Sequence, residues 1–287
     1  MLTAPDALNL QYGNTWGGNI LDLNPGQDGT ILMDRWFVPE SGYNNPTRLA
    51  KSLEGFGVVQ VDTRTLATKV VQQPNRDAAE YLTDGIGHLR VMGIQDGSGT
   101  DQAKQVIHYS YRTDSGWKSL GDYDVISNDG IRPLAVDPKL NALFALRKIN
   151  GRQALYRVNL DGGLRQELVL SRPDVDIDDV VRIGRSQRPV GATFATDKRE
   201  TVYFDPELKQ LGAALGRNLP ALPLIDFVDS SADETKLLIR ASSDVDPGRF
   251  YVFDKAKRSL SEIMSTSRSA PTSSQICRNR AKSKCRG

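Results

Sequence analysis

Cysteine, histidine and long apolar runs are all scarce in this 287-residue chain. Both cysteines, Cys277 and Cys285, lie close to the C-terminus, so we expect neither a disulfide framework nor a cysteine-ligated metal site in the rest of the chain. Only two histidines, His88 and His108, are available for catalysis. No apolar run approaches the roughly 20 residues of a membrane-spanning helix. Met1–Leu10 lacks the basic region and apolar core of a signal peptide. We therefore expect no membrane partner.

An excess of positive charge is also missing from most of the chain. Lysine and arginine number 37 against 35 acidic residues, a formal charge of +2. Residues 268–287 hold six basic residues and no acidic one, so the remainder carries 31 basic against 35 acidic residues. A slightly acidic body lacks the basic surface that binds phosphates, so we expect no nucleic-acid partner. A composition of 39% hydrophobic and 25% charged residues is that of a globular protein with a buried core.

A strand-like run that ends in aspartate recurs five times along the chain. The five aspartates are Asp62, Asp114, Asp161, Asp205 and Asp254, spaced 52, 47, 44 and 49 residues apart. A repeat of 40–50 residues that contains several short strands is typical of a β-propeller blade. We predict that each carboxylate caps the turn between two antiparallel strands by accepting bonds from backbone N–H groups.

Most repeats also contain a hairpin that precedes the run ending in aspartate. This hairpin adds two strands, so each repeat has four. Residues 132–147 and 224–240 show it as apolar runs joined by Asp-Pro or Ser-Ser-Ala-Asp turns. The chain is therefore predicted to be all-β, a β-propeller of four-stranded antiparallel blades. About five blades are expected, at residues 16–74, 78–122, 131–171, 177–218 and 222–265. An irregular two-sheet sandwich is the alternative.

The fourth repeat departs from this pattern in its last quarter. Leu208, Leu211 and Leu215 recur there at helical spacing behind Pro206, and proline is favoured at the first position of a helix. We predict one short helix near residues 206–217.

No residue set of a known catalytic type is visible, so we predict no catalytic, cofactor-binding or metal-binding residues. A hydrolase nucleophile lies in Gly-x-Ser-x-Gly, whereas Ser98 in Asp-Gly-Ser-Gly-Thr lacks the leading glycine. A triad histidine would follow the nucleophile and acid of an α/β-hydrolase, and no histidine follows His108. We interpret His88 and His108 as ordinary strand residues. Trp16, Trp36 and Trp117 are expected to pack within the blades.

Four carboxylates lie close together between Asp174 and Asp179. The segment lacks the central glycine and closing glutamate of a calcium loop, so we predict a solvated loop that leads into a strand. A glycosidase would need two opposed carboxylates at a cleft, and the sequence does not place them.

Three segments resemble a known family. They are Val61–Ala67 followed by Val70–Pro74, Tyr203–Leu208 running through a helix to Leu219-Pro, and Arg249–Lys255 in the last blade. Over about residues 16–265 the chain resembles the non-catalytic propeller of prolyl oligopeptidase family serine peptidases, especially the dipeptidyl- and acylaminoacyl-peptidase-like members. The resemblance implies a propeller that precedes an α/β-hydrolase domain and restricts entry to short or unfolded peptides. Family propellers have seven or eight blades, and relatives occur in the cytoplasm and the periplasm.

From this resemblance we expect a partial propeller, incomplete or open, over residues 1–265, with the catalytic domain missing. Such a chain should be inactive alone and should need no cofactor. Its expected partners are an oligopeptide substrate, in the full-length relative, and the packing face of the hydrolase domain. Residues 266–287 are expected to be a disordered basic tail, interpreted as an aberrant terminus that replaces the hydrolase domain. The alternatives are a stand-alone scaffold for protein–protein contacts and a carbohydrate-active propeller. No Gly-His…Trp-Asp signature supports the scaffold.

Overall fold

The structure is a computed structural model that describes residues 18–23, 29–39, 53–95 and 105–265. Within these ranges the chain forms twenty strands and one helix. All strand pairs are antiparallel, and the strands of every sheet follow chain order. No helix in the described ranges has the length and apolar character needed to cross a membrane. The chain divides into two compact units, Met1–Asp205 and Pro206–Gly287.

Five sheets contain all of these strands. The first holds β1 (Ile20–Asp22), β2 (Thr30–Phe37), β3 (Gly55–Asp62) and β4 (Thr68–Asn75). The second holds β5 (Ala78–Thr83), β6 (Leu89–Gln95), β7 (Val106–Thr113), β8 (Gly116–Asp124) and β9 (Asp129–Gly130). The third holds β10 (Arg132–Asp137), β11 (Ala142–Ile149), β12 (Arg152–Asn159) and β13 (Gln166–Leu170). The fourth holds β14 (Ile177–Ile183), β15 (Arg188–Ala195) and β16 (Arg199–Tyr203). The fifth holds β17 (Leu224–Ser230), β18 (Lys236–Ser242), β19 (Arg249–Asp254) and β20 (Ser259–Ser265).

These sheets confirm the predicted fold class of antiparallel propeller blades with one helix. Two sheets differ in strand number from the predicted four. The second sheet gains β9, a two-residue strand that extends it past residue 122. The fourth sheet has three strands, because the chain enters helix α1 (Pro206–Asn218) where a fourth strand would begin. Leu208 and Leu215 are the buried residues of this helix, in agreement with the predicted apolar spacing.

Apolar faces pack between successive sheets of the Met1–Asp205 unit. Tyr111 and Leu143 belong to the cluster between the second and third sheets, and both are almost completely buried. Phe144 and Phe194 belong to the next cluster, between the third and fourth sheets. There the rings of Phe144 and Phe204 stack with centroids 5.2 Å apart. Face-to-face packing of consecutive sheets is how propeller blades bury their apolar surfaces.

The Pro206–Gly287 unit has a core of its own. Phe227, Ile239 and Tyr251 are register partners on three adjacent strands, and all three are buried. Helix α1 contacts β17, where a Cβ placed at Gly212 would lie 3.5 Å from the Phe227 ring. The Lys255 ammonium lies 3.0 Å from the Glu207 carboxylate in the first helical turn. The helix and the fifth sheet therefore pack against each other as two layers.

Three of the five repeat aspartates cap their turns as predicted. Asp62 accepts bonds from the N–H groups of Arg64 and Thr65, both at 2.9 Å, which lowers the pKa of its carboxyl group. Asp161 and Asp254 each accept a turn N–H at 3.0 Å.

The other two repeat aspartates lie in different surroundings. Asp114 occupies the two-residue turn between β7 and β8. The Asp205 carboxylate instead lies 2.9 Å from the Arg188 guanidinium. The difference at Asp205 arises because the next residue, Pro206, starts a helix rather than a hairpin turn.

Candidate functional site

The first strands of four sheets surround a cavity of about 200 Å³, which we call the central cavity. Its lining includes Leu21 of β1, Tyr81, Leu82 and Thr83 of β5, Leu134, Ala135 and Val136 of β10, and Arg182 of β14. Gly85, Ser186 and Gln187 complete the lining from two turns. In propellers the blades are arranged around a central channel. Strands β1, β5, β10 and β14, the first strands of their sheets, are arranged in this way around the central cavity.

Polar side chains connect the strands that line the central cavity. The Thr83 hydroxyl donates to the Leu21 carbonyl at 3.2 Å, which joins β5 to β1. The Arg182 guanidinium donates to the Leu134 carbonyl at 2.8 Å, which joins β14 to β10. The Tyr81 hydroxyl donates to the Phe56 carbonyl, and burial raises its pKa to about 12. The side chains facing this space are therefore held by bonds between blades.

One side of the central cavity is narrowed by a close approach of two turns. Gly85 has a φ of 71°, and a Cβ at this position would lie 1.9 Å from the Ser186 carbonyl oxygen. Only glycine fits such an approach without a backbone shift. The turns of the second and fourth sheets therefore meet beside the cavity.

Three buried aspartates mark the ends of the first strands. Asp22, Asp84 and Asp137 are each at most 5% exposed. Asp137 accepts the N–H groups of Lys139 and Leu140 within its own turn. Asp22 accepts the N–H of Gly87 at 2.8 Å and so joins the first sheet to the second. The repeat pattern does not single these residues out, although the aspartate at the end of the first apolar run in each of the first three sheets was an available signal.

A second concave region of about 850 Å³ lies where turns of the second and third sheets face each other. We call it the polar cleft. Its charged and polar lining includes Asp84, His88, Arg90, Arg112, Asp114 and Lys118 from the second sheet, and Asn141 and Asp161 from the third.

The Arg90 side chain spans the two walls of the polar cleft. Its guanidinium donates to the Asn141 side-chain oxygen at 2.6 Å. The same guanidinium lies 3.7 Å from the Asp84 carboxylate, which also accepts the N–H groups of Ile86 and His88. The His88 ring also lies 3.0 Å from the Asp84 carboxylate. Four side-chain and backbone groups thus surround this carboxylate, which is almost fully buried.

The two histidines predicted to be strand residues have different settings. His108 lies in β7, as predicted, and its Nδ1 is 2.7 Å from the Asp122 carboxylate on the neighbouring strand. His88 lies just before β6 rather than within it, and its ring faces Asp84 in the polar cleft. The turn around Gly85 and Gly87 displaces it from the strand.

The carboxylates between Asp174 and Asp179 do not converge on one point. Asp174 pairs with the Arg172 guanidinium at 2.7 and 2.9 Å, while Asp176 accepts the Gln153 N–H at 2.9 Å. Asp178 pairs with Arg199 at 2.9 Å. The first part of the segment is a loop, as predicted, but Asp178 and Asp179 lie within β14. Across the described ranges no group of three or more His, Cys, Asp or Glu residues could hold a metal ion.

Two of the tryptophans pack as expected. The Trp36 ring stacks with Phe56 at a centroid distance of 6.3 Å, and Trp117 packs against the apolar cluster of the first and second sheets. Trp16, Ser98, Cys277, Cys285 and the tail at residues 266–287 lie outside the described residues.

Comparisons with known proteins give distant similarities. No protein-family model matches the chain, and no curated protein matches it. Among solved structures, TolB from Acinetobacter baumannii is 13% identical with a TM-score of 0.39, over 74% of this chain and 49% of TolB. A puromycin-hydrolyzing peptidase from Mycobacterium tuberculosis is 11% identical with a TM-score of 0.45, over 85% and 36% of the two chains. An oligogalacturonate lyase from Vibrio parahaemolyticus is 11% identical with a TM-score of 0.46, over 88% and 66%.

This chain therefore spans about half the length of TolB and about a third of the mycobacterial peptidase. With TM-scores below 0.5, these similarities assign neither a family nor an activity to the chain.

Proposed function

We propose that this chain is the oligopeptide-admitting propeller region of a prolyl oligopeptidase-type serine peptidase. Its α/β-hydrolase catalytic domain would lie outside this sequence and pack on the propeller. The central cavity is the observation that carries the proposal, because the first strands of four blades contribute to one space. The three sequence segments that resemble the family support the same assignment.

The size of the central cavity supports a gating role. Its volume of about 200 Å³ is below the roughly 300–1,000 Å³ of pockets that enclose drug-sized ligands. An extended peptide segment can enter such a space one part at a time, whereas a folded chain cannot. Lining residues such as Leu21, Leu82 and Leu134 would contact the peptide, and Arg182 would offer a donor. Substrate size is therefore selected before the peptide reaches a catalytic domain.

Photo-crosslinking of a peptide to the full chain tests the location of this site. An octapeptide that carries p-benzoylphenylalanine is irradiated with the protein, and crosslinked residues are identified by mass spectrometry. We expect crosslinks on the first strands β1, β5, β10 and β14. Ser186→Trp adds a large side chain to the cavity lining and should lower the crosslink yield at least fivefold. Ser119→Trp, at an exposed residue of β8 outside the cavity, is the matched control.

Two further measurements separate the proposal from its alternatives. Crosslinks confined to outer strands would favour the scaffold function, and displacement of the peptide by an oligosaccharide mixture would favour a carbohydrate-active propeller. Either result overturns the proposal. The chain should also leave prolyl and aminoacyl p-nitroanilides intact and resist labelling by a fluorophosphonate. Hydrolysis together with a labelled serine would show that the chain has its own catalytic site.

A further inference from the structure

The charged residues of the polar cleft fall into two groups. Some form bonds within the walls of the cleft, and others are exposed. Arg90 and Asp84 belong to the wall itself, because Arg90 bonds to Asn141 across the cleft and Asp84 accepts turn N–H groups. Arg112, Asp114, Lys118 and Asp161 are all exposed. The exposed lining therefore includes residues of both signs, in addition to the His88 ring.

The exposed cation of the cleft, Lys118, lies on the wall formed by the second sheet. Lys118 pairs directly with Tyr111 across β7 and β8, so the two side chains lie on the same face of the sheet. Tyr111 packs in the cluster that includes Leu143 and Leu160 of the third sheet. The Lys118 ammonium therefore projects from the side of the second sheet that faces the third. The Arg112 guanidinium instead stands 5.3 Å from the ring centroid of Trp117, which packs against the cluster of the first and second sheets, so it lies on the opposite face of the second sheet.

A carboxylate lies on the opposite wall at the turn after β12. Asp161 accepts the N–H of Gly163 at 3.0 Å, and an ionised carboxylate has about four acceptor sites, so it can accept further bonds. At Gly162 in the same turn, a Cβ would meet nothing within 4 Å. The Leu160 N–H donates to the Asn141 carbonyl, and the Asn141 side-chain amide donates to the Leu160 carbonyl. These bonds fix the base of this wall. The turn therefore presents a fixed carboxylate beside open space.

An exposed cation on one wall and an exposed carboxylate on the other favour a ligand that also carries both charges. A multiply charged anion such as phosphate would be attracted by Lys118 but repelled by Asp114 and Asp161. A zwitterion can satisfy both walls at once. We propose that the polar cleft binds short peptides with free termini, the carboxylate against Lys118 and the ammonium group against Asp161.

The volume of the polar cleft suits such a ligand. About 850 Å³ lies within the roughly 300–1,000 Å³ of pockets that hold drug-sized molecules. The central cavity is lined by other residues, so this site is separate from the one on which the proposed function rests. The inference depends on the charges of the cleft and would stand if the chain were not part of a peptidase.

Isothermal titration of the full chain with three peptides tests the proposal. The probes are trialanine, N-acetyl-trialanine and trialanine amide. Trialanine should bind at least fivefold more tightly than either blocked form, because each blocked form loses one charge. Lys118→Ala should reduce its affinity to that of the amide, and Lys118→Arg should retain most of it. Asp161→Asn should reduce it to that of the acetylated peptide while keeping an acceptor for Gly163.

Lys198→Ala and Asp197→Asn are the matched controls, since both residues are exposed and lie outside the cleft lining. Circular dichroism spectra check that every variant is folded. Equal affinities for trialanine and its blocked forms, no binding, or tighter binding of inorganic phosphate would each overturn the inference. Ser186→Trp should leave trialanine binding unchanged. If trialanine binds normally but the octapeptide gives no crosslinks, the proposed function is contradicted and the present inference stands.

Discussion

The Tyr109 side chain crosses over Gly93, and its hydroxyl donates to the Glu80 carboxylate at 2.8 Å. Gly93 is the register partner of both residues, with Glu80 on β5 and Tyr109 on β7. A Cβ at position 93 would lie 2.8 Å from the tyrosine ring. The fourth sheet repeats this arrangement, since a Cβ at Gly191 would lie 2.9 Å from the ring of its partner Tyr203. In both blades a glycine makes room for a buried tyrosine.

Substitution of Gly93 by alanine should therefore destabilise the protein. Because the ring of Tyr109 must move or the strand must shift, Gly93→Ala is expected to lower the free energy of unfolding by about 1–3 kcal/mol. Gly163→Ala is the control, because Gly163 lies in an exposed turn where a Cβ would lie 3.4 Å from its nearest neighbour. It should change stability by less than about 0.5 kcal/mol. Urea unfolding measures both, and equal effects would contradict this account of Gly93.

Removal of the Tyr109 hydroxyl should make stability more sensitive to pH. Burial raises the pKa of Glu80, and the bond from Tyr109 partly offsets this increase. A carboxyl group with a raised folded-state pKa loses stability as pH rises from its ordinary value of 4.5 toward the raised one. Tyr109→Phe raises the pKa further, so the variant should lose more stability than the wild type between pH 4 and pH 7. At pH 7 the cost should be about 1–3 kcal/mol.

Chemical denaturation of the Tyr109→Phe variant at several pH values provides the measurement. Glu80→Gln is the reference, since an amide cannot ionise in this range. In the Glu80→Gln background the effect of Tyr109→Phe should no longer vary with pH. A cost that is the same at pH 4 and pH 7 in the otherwise unchanged chain would show that Glu80 does not titrate there.

The blade repeats could be predicted because their signals are local. Asp62, Asp161 and Asp254 cap turns within a few residues of themselves, so their spacing along the chain is sufficient to find the blades. The helix was predictable for the same reason, from Pro206 and the leucines that follow it. Strand β9 was not, because two residues carry no periodicity.

Both concave regions depend instead on contacts between distant parts of the chain. Arg90 and Asn141 are 51 residues apart, and Asp22 and Gly87 are 65 apart. The packing of the blades determines which side chains line the same cleft. No local sequence pattern predicts that packing. The sequence therefore predicts the blades better than it predicts the surfaces between them.

The carboxylate of Asp233 should contribute stability that disappears in acid. It accepts bonds from the Ser231 hydroxyl at 2.6 Å and from the Thr235 hydroxyl at 2.9 Å, and these bonds lower its pKa to about 2. A lowered folded-state pKa gives stability that is present above the ordinary value of 3.8 and is lost as pH falls toward 2. Asp233→Asn should therefore be less stable than the wild type at pH 5, and the difference should shrink toward pH 2. Thermal unfolding across this range measures it, and a difference independent of pH would exclude the titration of Asp233 as its cause.

Two glycines of helix α1 should respond differently to alanine. Alanine is favoured over glycine within a helix by about 0.5–1 kcal/mol. At Gly212 the new methyl group would lie 3.5 Å from the Phe227 ring, an ordinary contact, so Gly212→Ala should stabilise the protein by about that amount. At Gly216 it would lie 3.0 Å from the Pro223 carbonyl oxygen, which opposes the gain. Gly216→Ala should give no net stabilisation in the same thermal unfolding measurement. Equal stabilisation by both substitutions would mean that the segment around Pro223 moves aside without cost.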